Sequence, residues 1–339
     1  MDKFGEFLEY LKENDIKKAV ITRKENITYF LERYPPNFSI LIFDSNHDKV
    51  TLQVSKLDFE MSKDYKNKNL DIELYENFEN TFKGCIGLED TLPIKFLKFV
   101  EKYTIISKKI DEMREIKSKA EIQNIKTAAK ISDEAIEFGT NYAFENDCVT
   151  ENQVAAEIEY FMKEKGSIRP SFDTIAISNK KTRLPHGMPS KDIVKNILLM
   201  DIGALYEGYC SDITRTVILN ENIQKYSEVY DVVKSAKLEA EKNLKAGISV
   251  KELDLVARDH MGEFKEYFIH SLGHGVGVEV HESPTISSKI KEDIILKEGM
   301  VITIEPGIYT DDFGVRIEDL YLVKKNGFEK LSNAKILKY

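Results

Sequence analysis

Residues Ile302 to Asp319 read ITIEPGIYTDDFGVRIED. A strand-like run delivers Glu305, and Pro306 and Gly307 then interrupt it. Asp311 and Asp312 read as a turn, and a second run leads to Glu318. The two glutamates are 13 residues apart, with the midpoint between Asp311 and Asp312. Folded about that midpoint as a tight hairpin, the segment sets Glu305 against Glu318 across two strands. Carboxylates buried at close range repel, so the pair calls for cations or a shared proton.

The pattern occurs once more, in ILLMDIGALYEGYCSDITRTVIL at 197–219. Asp201 and Asp212 are 11 residues apart, centred between Tyr206 and Glu207, with Gly208 at the turn. This predicts a second hairpin with a second pair of opposed carboxylates. Between the hairpins, HSLGHGVGVEVHESP supplies His270, His274 and His281. Any one of these acids is explained by an ion pair, with Arg215 or Arg316 as partner. Four acids against two arginines leave buried negative charge, which two divalent ions offset, with neutral His274 as a further ligand. An oxygen-rich ligand set favours manganese or cobalt, also suits iron or magnesium, and is unlike a thiolate zinc site, although zinc can enter it. Water bridging two such ions becomes a hydroxide at neutral pH while one ion polarises a carbonyl, which is hydrolase chemistry. GHGVG at 273–277 lacks the strand–turn–helix context of a dinucleotide site, and its glycines instead allow close approach to His274.

Around this centre stand further polar groups. His281 is placed to donate a hydrogen bond to the oxyanion of a tetrahedral intermediate. His186, in the polar loop after Pro185, can reach over the metals. Thr214 and Thr303 flank the acidic strands and can hold the ligand carboxylates. His270 beside an apolar run is left without a role, and His47 in the SNHD turn reads as a solvated loop residue.

The chain has 339 residues, enough for two domains. Hydrophobic content of 42% and charged content of 32% are those of a soluble globular protein. A net charge of -9 without a basic stripe argues against nucleic acid. No apolar run suggests a membrane span, and the N-terminus lacks a signal-peptide core. Cys85, Cys148 and Cys210 are odd in number and without CxxC spacing, so neither a disulfide framework nor a zinc knuckle is expected. A cytoplasmic location fits.

Helix and strand patterns alternate through the first 110 or so residues, which predicts a small α/β domain: a helix over 3–14, strands at KKAVIT, SILIFD, KVTLQVS and 86–88, and a helix over 92–99. Near residue 112 the pattern becomes strongly helical, with Ser118 and Glu121 as a capping box. Helices follow over 151–164, 222–245 and 250–261. The expected domains are therefore 1–111 and 112–339, the second built twice from two helices followed by a carboxylate hairpin.

These residues resemble the metallopeptidases of the pita-bread fold: prolidase, aminopeptidase P, methionine aminopeptidase and creatinase. The resemblance runs through MREIKSKAEI (113–122), PHGMP (185–189), MDIGALYEGYCSDITRT (200–216), HSLGHGVGVEVHESP (270–284), GMVITIEPGIY (299–309) and GVRIED (314–319). It implies a creatinase-like α/β N-terminal domain before a pita-bread α+β catalytic domain, as in prolidase and aminopeptidase P and unlike the bare methionine aminopeptidases. By position it implies Asp201 as a bidentate ligand, Asp212 and Glu318 as bridging ligands, His274 as the sole histidine ligand, and Glu305 as both ligand and general acid/base. It implies His186 and His281 as substrate-contacting histidines, and Arg316 as a support acting through an acidic partner. With all five ligand positions intact, a metal-free creatinase-like relative or a non-catalytic peptide-binding scaffold is disfavoured. The activity implied is hydrolysis of the bond between an N-terminal residue and proline in a peptide substrate, by a homodimer. One departure bears on specificity. Prolidases that cut dipeptides often carry an arginine after HExP for the substrate carboxylate, and Thr285 stands there, with Lys289 or Lys291 as possible substitutes. Xaa-Pro aminopeptidase activity is the expectation, with Xaa-Pro dipeptidase as the alternative.

Overall fold

The computed structural model describes residues 2–65, 69–219 and 223–336, and the chain divides into two compact units, Met1–Arg114 and Glu115–Tyr339. The division falls three residues beyond the expected 111. The helix before it is tied back to the first unit: Tyr29 donates to the carbonyl of Met113 (3.0 Å) and Arg114 donates to Asn26 (2.8 Å).

The first unit is a six-stranded sheet made of β1 (Lys18–Ile21), β2 (Ser39–Asp44), β3 (Lys49–Val54), β4 (Leu70–Leu74), β5 (Cys85–Leu88) and β6 (Lys102–Ile105), in the order β4-β3-β2-β1-β5-β6. β1, β2 and β3 pair antiparallel, and β4, β5 and β6 add in parallel. Helix α1 (Lys3–Glu13) buries Phe4, Phe7, Leu8 and Leu11, the i, i+3, i+4, i+7 face read from the sequence. With α2 (Lys24–Leu31) it sets Phe7 and Phe30 against Phe43 of β2, each pair of ring centroids 4.9 Å apart. Two short helices, α3 (Phe59–Ser62) and α4 (Phe78–Phe82), complete the connections. The helix expected over 92–99 is a 3₁₀ segment, Ile94–Phe99, whose Phe96, Leu97 and Phe99 pack only partly buried against the core. His47 is 75% exposed and bonds to Asp44, as a solvated turn residue should.

The strongly helical stretch expected from near residue 112 is two helices, α5 (Ser107–Glu115) and α6 (Lys119–Glu145). Ser118 interrupts them: it takes an extended backbone and closes the expected capping box with Glu121, starting α6 afresh. α6 and α7 (Glu151–Glu164) are followed by β7 (Arg169–Pro170) and β8 (Ile175–Ser178), then by the first acidic hairpin: β9 (Ile197–Ile202), β10 (Ala204–Tyr206), β11 (Tyr209–Cys210) and β12 (Ile213–Ile218). The sequence repeats itself with α8 (Ile223–Asn243), α9 (Val250–His260), β13 (Gly273–Gly275) and β14 (Glu282–Ile286), then the second acidic hairpin: β15 (Val301–Ile304), β16 (Gly307–Tyr309), β17 (Gly314–Arg316) and β18 (Asp319–Lys324). Position 222, where the sequence starts the first of these helices, lies outside the described residues. Strand β19 (Gly327–Lys330) closes the terminal hairpin.

Each helix pair backs its own hairpin. Ile131, Ile136, Val154 and Ile158 pack on Leu198, Met200 and Val217; Val233, Leu253 and Ala257 share a core with Ile302, Ile304 and Ile317. No helix among the described residues is long and apolar enough to cross a membrane.

A buried charge cluster ties the two hairpins together. Asp319 of β18 is fully buried and meets Arg215 of β12 (2.6 Å), Lys237 of α8 (2.6 Å) and Lys330 of β19 (2.7 Å). Burial alone would raise the Asp319 carboxyl, but the three cations hold it well below the usual carboxylate range. Removing one partner of such a cluster strands the others in a dry interior. Asp319→Ala is expected to destabilise the chain by about 3–5 kcal/mol in denaturant titration. A folded-state carboxyl held low contributes stability that is present above its ordinary range and lost as pH falls. Asp319→Asn should therefore flatten the acid side of the stability–pH curve, and an unchanged curve would contradict the assignment.

Candidate metal centre and active site

The second hairpin has the register expected. Ile304 lies opposite Asp319 and Gly307 opposite Arg316, so Glu305 and Glu318 face each other between those pairs. Both sit where the strands break. The N–H of Glu305 leaves the ladder for the carbonyl of Leu272 (2.8 Å), and that of Glu318 goes to the carbonyl of Thr214 (3.1 Å). Pro306, which has no N–H, makes the break cheap. The two carboxylates thus stand at points where the hairpin is stitched to neighbouring strands.

The first hairpin differs by one step. Leu205 pairs with Cys210 and Tyr206 with Tyr209, so the axis lies between Glu207 and Gly208, whose φ angles are both positive (49° and 87°). A two-residue hairpin turn with both φ positive matches strand twist, and glycine fits its second position. Asp201 therefore opposes Thr214, not Asp212 as the sequence reading had it. Moving the axis by one residue moves the partner by two, which preserves the face. Asp212 stays on the side of Thr214 and remains diagonal to Asp201.

The five residues expected as ligands converge. Asp201, Asp212 and Glu318 place carboxylate oxygens within 4.8 Å of one another, and so do ligand atoms of His274, Glu305 and Glu318. A third group joins Asp212 and His274 to His281. The Nδ1 of His274 is engaged by the carbonyl of Gly275 (3.1 Å), leaving Nε2 toward Glu305 Oε1 (3.2 Å) and Asp212 Oδ2 (3.6 Å). That is how a ligating imidazole is oriented. Two buried oxygens, Asp201 Oδ1 and Glu318 Oε1, have no hydrogen-bond partner within the described structure. Orphaned buried carboxylate oxygens on two residues of one acid cluster fit a bound cation.

The electrostatics agree. Burial and repulsion from Glu318 and Asp201 push the Asp212 carboxyl well above its usual range, and burial with repulsion from Glu305 and Asp201 does the same to Glu318. Burial also opposes ionisation of Glu305, but the hydrogen bond from His274 and the nearby His270 outweigh it and hold the group at about 2. Of the two arginines available to these acids in the sequence, only Arg316 serves the cluster. It donates to Asp201 Oδ2 (2.6 Å), Tyr309 (2.7 Å), Thr214 (3.1 Å) and the carbonyl of Pro185 (3.3 Å). Arg215 is committed to Asp319. The two flanking threonines act as read: Thr214 donates to Glu318 (2.7 Å), while Thr303 accepts from the His274 N–H (3.1 Å) and reaches Glu305 at 3.4 Å.

A cavity of about 590 Å³ opens onto this cluster. All the expected site residues line it, His186 and His281 included; an apolar wall of Phe172, Ile175 and Met188 lines it as well. His186 and His281 are both exposed, and the His281 ring stands edge-on to His274 with centroids 4.3 Å apart. Burial and the neighbouring His274 lower the His281 pKa. Thr285 lies opposite His274 in the β13–β14 ladder and lines the cavity, whereas Lys289 and Lys291 do not. Among the described lining residues, Arg316 is the only permanent cation.

Three groups were missed from sequence. His270 lines the cavity, bonds Tyr309 through Nε2 (2.9 Å) and brings Nδ1 within 3.8 Å of Glu305 Oε2. Its signal was the four-residue spacing from His274. Tyr309 joins His270 to Arg316. Glu151, fully buried at the start of α7, clamps both ends of the loop that bears His186: it accepts from Ser178 N (2.7 Å), Lys181 Nζ (2.6 Å) and Ser190 N (3.0 Å). Nothing local in the sequence marks that role.

Comparison with known proteins places this geometry. Residues 123–325 match the model of metallopeptidase family M24. An uncharacterized peptidase of Methanocaldococcus jannaschii is 54% identical, covering 100% of this chain and 97% of its own. The Xaa-Pro dipeptidase of Pyrococcus furiosus is 39% identical over 98% of this chain and 97% of its own. The crystal structure of the prolidase from Pyrococcus horikoshii superposes with a TM-score of 0.92 at 35% identity, covering 99% of both chains. The fold is thus the two-domain pita-bread fold with a creatinase-like N-terminal domain. The acid-and-histidine cluster at the centre of its second unit is that of a peptidase built to use divalent metal, and the chain belongs to metallopeptidase family M24.

Proposed function

We propose that this chain is an Xaa-Pro aminopeptidase that hydrolyses the bond between an N-terminal residue and proline in peptides longer than two residues. Asp201, Asp212, His274, Glu305 and Glu318 would hold two divalent ions, manganese or cobalt in first place. When bound, such ions supply Lewis acidity, lowering the pKa of water and polarising the scissile carbonyl. The chain's own groups do the rest. Glu305 takes the water proton on Oε2, the oxygen turned toward His270, and returns it to the proline nitrogen as the leaving amine departs. The exposed His281 and His186 at the cavity lip donate N–H groups to the developing oxyanion and the substrate carbonyl. Arg316 holds Asp201 in place through its 2.6 Å contact, and the wall of Phe172, Ile175 and Met188 keeps water off the pyrrolidine ring.

The observation that carries the choice of substrate is the cavity's charge. A dipeptide presents its carboxylate within the site and needs a cation there. Arg316 is already committed to Asp201 and Tyr309, Thr285 offers only a hydroxyl, and Lys289 and Lys291 stay outside the lining. The second reading, Xaa-Pro dipeptidase, is favoured by the name of the Pyrococcus furiosus relative.

With manganese added and a chelator control, Ala-Pro-Ala should be cleaved with kcat/KM at least about tenfold above that for Ala-Pro, the scale of one charge-assisted contact. Preference for the dipeptide would transfer the assignment to the second reading. Thr285→Arg should raise dipeptide cleavage.

The ligand assignment gives a stability test. Asp212 and Glu318 have folded-state pKa values raised above their ordinary ones, so without metal their contribution to stability is present at low pH and lost as pH rises. Chelator-treated Asp212→Asn should therefore melt higher than wild type at about pH 8, with the difference shrinking toward about pH 5. The same variant should lose the stabilisation that manganese gives the wild type.

A further inference from the structure

The joining segment MREIKSKAEI carries one side chain that the site does not yet explain. Lys117 is buried, and its Nζ lies 2.6 Å from Glu282 Oε1, with side-chain exposures of 1% and 6%. Glu282 directly follows His281. Its backbone pairs with Gly275 in the β13–β14 ladder, and its other carboxylate oxygen accepts from the N–H of Glu279 (3.5 Å). A Cβ at Gly277 would come within 2.3 Å of Glu282 Oε1, so glycine is what admits the carboxylate. On the far side, the N–H of Lys117 is fixed by the carbonyl of Gly299 (3.0 Å). Lysine backbone, ammonium, carboxylate and the chain on both sides of His281 thus form one connected frame.

The His281 imidazole has no hydrogen bond within the described structure. Its ring contact is the edge-on approach to His274. An exposed ring with no polar tether is placed by its backbone, and the residue that fixes that backbone is Glu282. A buried lysine–glutamate pair is seldom worth more in stability than apolar side chains of the same volume. We infer that Lys117 is a positioning residue, acting through the Glu282 carboxylate to set the His281 imidazole over the cavity. The inference rests on the reading of His281 as a donor to the oxyanion.

The test is a double-mutant cycle of Lys117→Met and His281→Ala on the manganese-loaded, full-length chain with an Xaa-Pro tripeptide. Lys117→Met should lower kcat by about tenfold or more with little change in KM, as expected for a misplaced catalytic group. In the His281→Ala background the same change should cost less than about twofold, because no imidazole is left to position. Lys117→Arg should restore most of the loss. A crystal structure of metal-free Lys117→Met should show the His281 and His274 rings no longer held at 4.3 Å. Equal losses in both backgrounds, or no loss in either, would overturn the inference and leave the role of His281 standing. Full activity of His281→Ala alone would remove that role and the inference with it. If Lys117→Met does not fold, Glu282→Gln, which keeps shape and removes charge, takes its place in the cycle with the same outcomes.

Discussion

Mutual repulsion of carboxylates is the constraint on which this structure turns. Asp201, Asp212 and Glu318 hold oxygens within 4.8 Å of one another, and Glu305 stands across the hairpin from Glu318. At that separation two unit charges repel by about 3 kcal/mol at an effective dielectric of about 20. Three ionised pairs would then oppose folding by about 10 kcal/mol, comparable to the whole stability of a typical domain. Arg316 alone does not offset four acids. Protonation relieves the strain without metal, as the upward shifts of Asp212 and Glu318 indicate, and bound divalent cations relieve it without giving up the charge.

The rest of the catalytic unit holds those acids together against that force. Two helices back each hairpin, and the hairpins are stitched to each other by Arg215, Asp319 and Lys237 beneath the site and by Arg316 within it. Asp319 directly follows Glu318 at the start of β18, and Arg215 directly follows Thr214 in β12. Structural neutralisation and functional charge excess are thus neighbours on the same strands. The lip of the cavity is arranged differently: His186 and His281 are exposed, and ion pairs outside the acid cluster, the half-buried Lys181 with buried Glu151 and the buried Lys117 with Glu282, hold their segments.

Much of this was legible because it is local. Pro306-Gly307 and Asp311-Asp312 punctuate the second hairpin unambiguously, so its register came out to the residue. In the first hairpin, turn chemistry favoured glycine at the second turn position over the midpoint of the two acids, so the register moved while the face survived. Helix α6 announced its start through Ser118 and Glu121, but the end of α5 before it did not stand out from a continuous helical pattern. What sequence did not show depends on contacts far apart in the chain. Arg215 finds Asp319 across 104 residues and Glu151 meets a loop up to 39 residues away. His270 gains its meaning only once Tyr309 and Glu305 are brought beside it.

On the proposed reading, two divalent cations held by Asp201, Asp212, His274, Glu305 and Glu318 would offset the mutual repulsion of these buried acids. The most direct test of that reading is metal content, measured by elemental analysis after equilibration with manganese and gel filtration. About two ions per chain are expected for wild type and, because Glu318 clusters both with His274 and Glu305 and with Asp201 and Asp212, loss of more than one ion is expected on Glu318→Gln. A wild-type chain that cleaves Xaa-Pro peptides while retaining no metal, or a Glu318→Gln chain that keeps both ions, would contradict it.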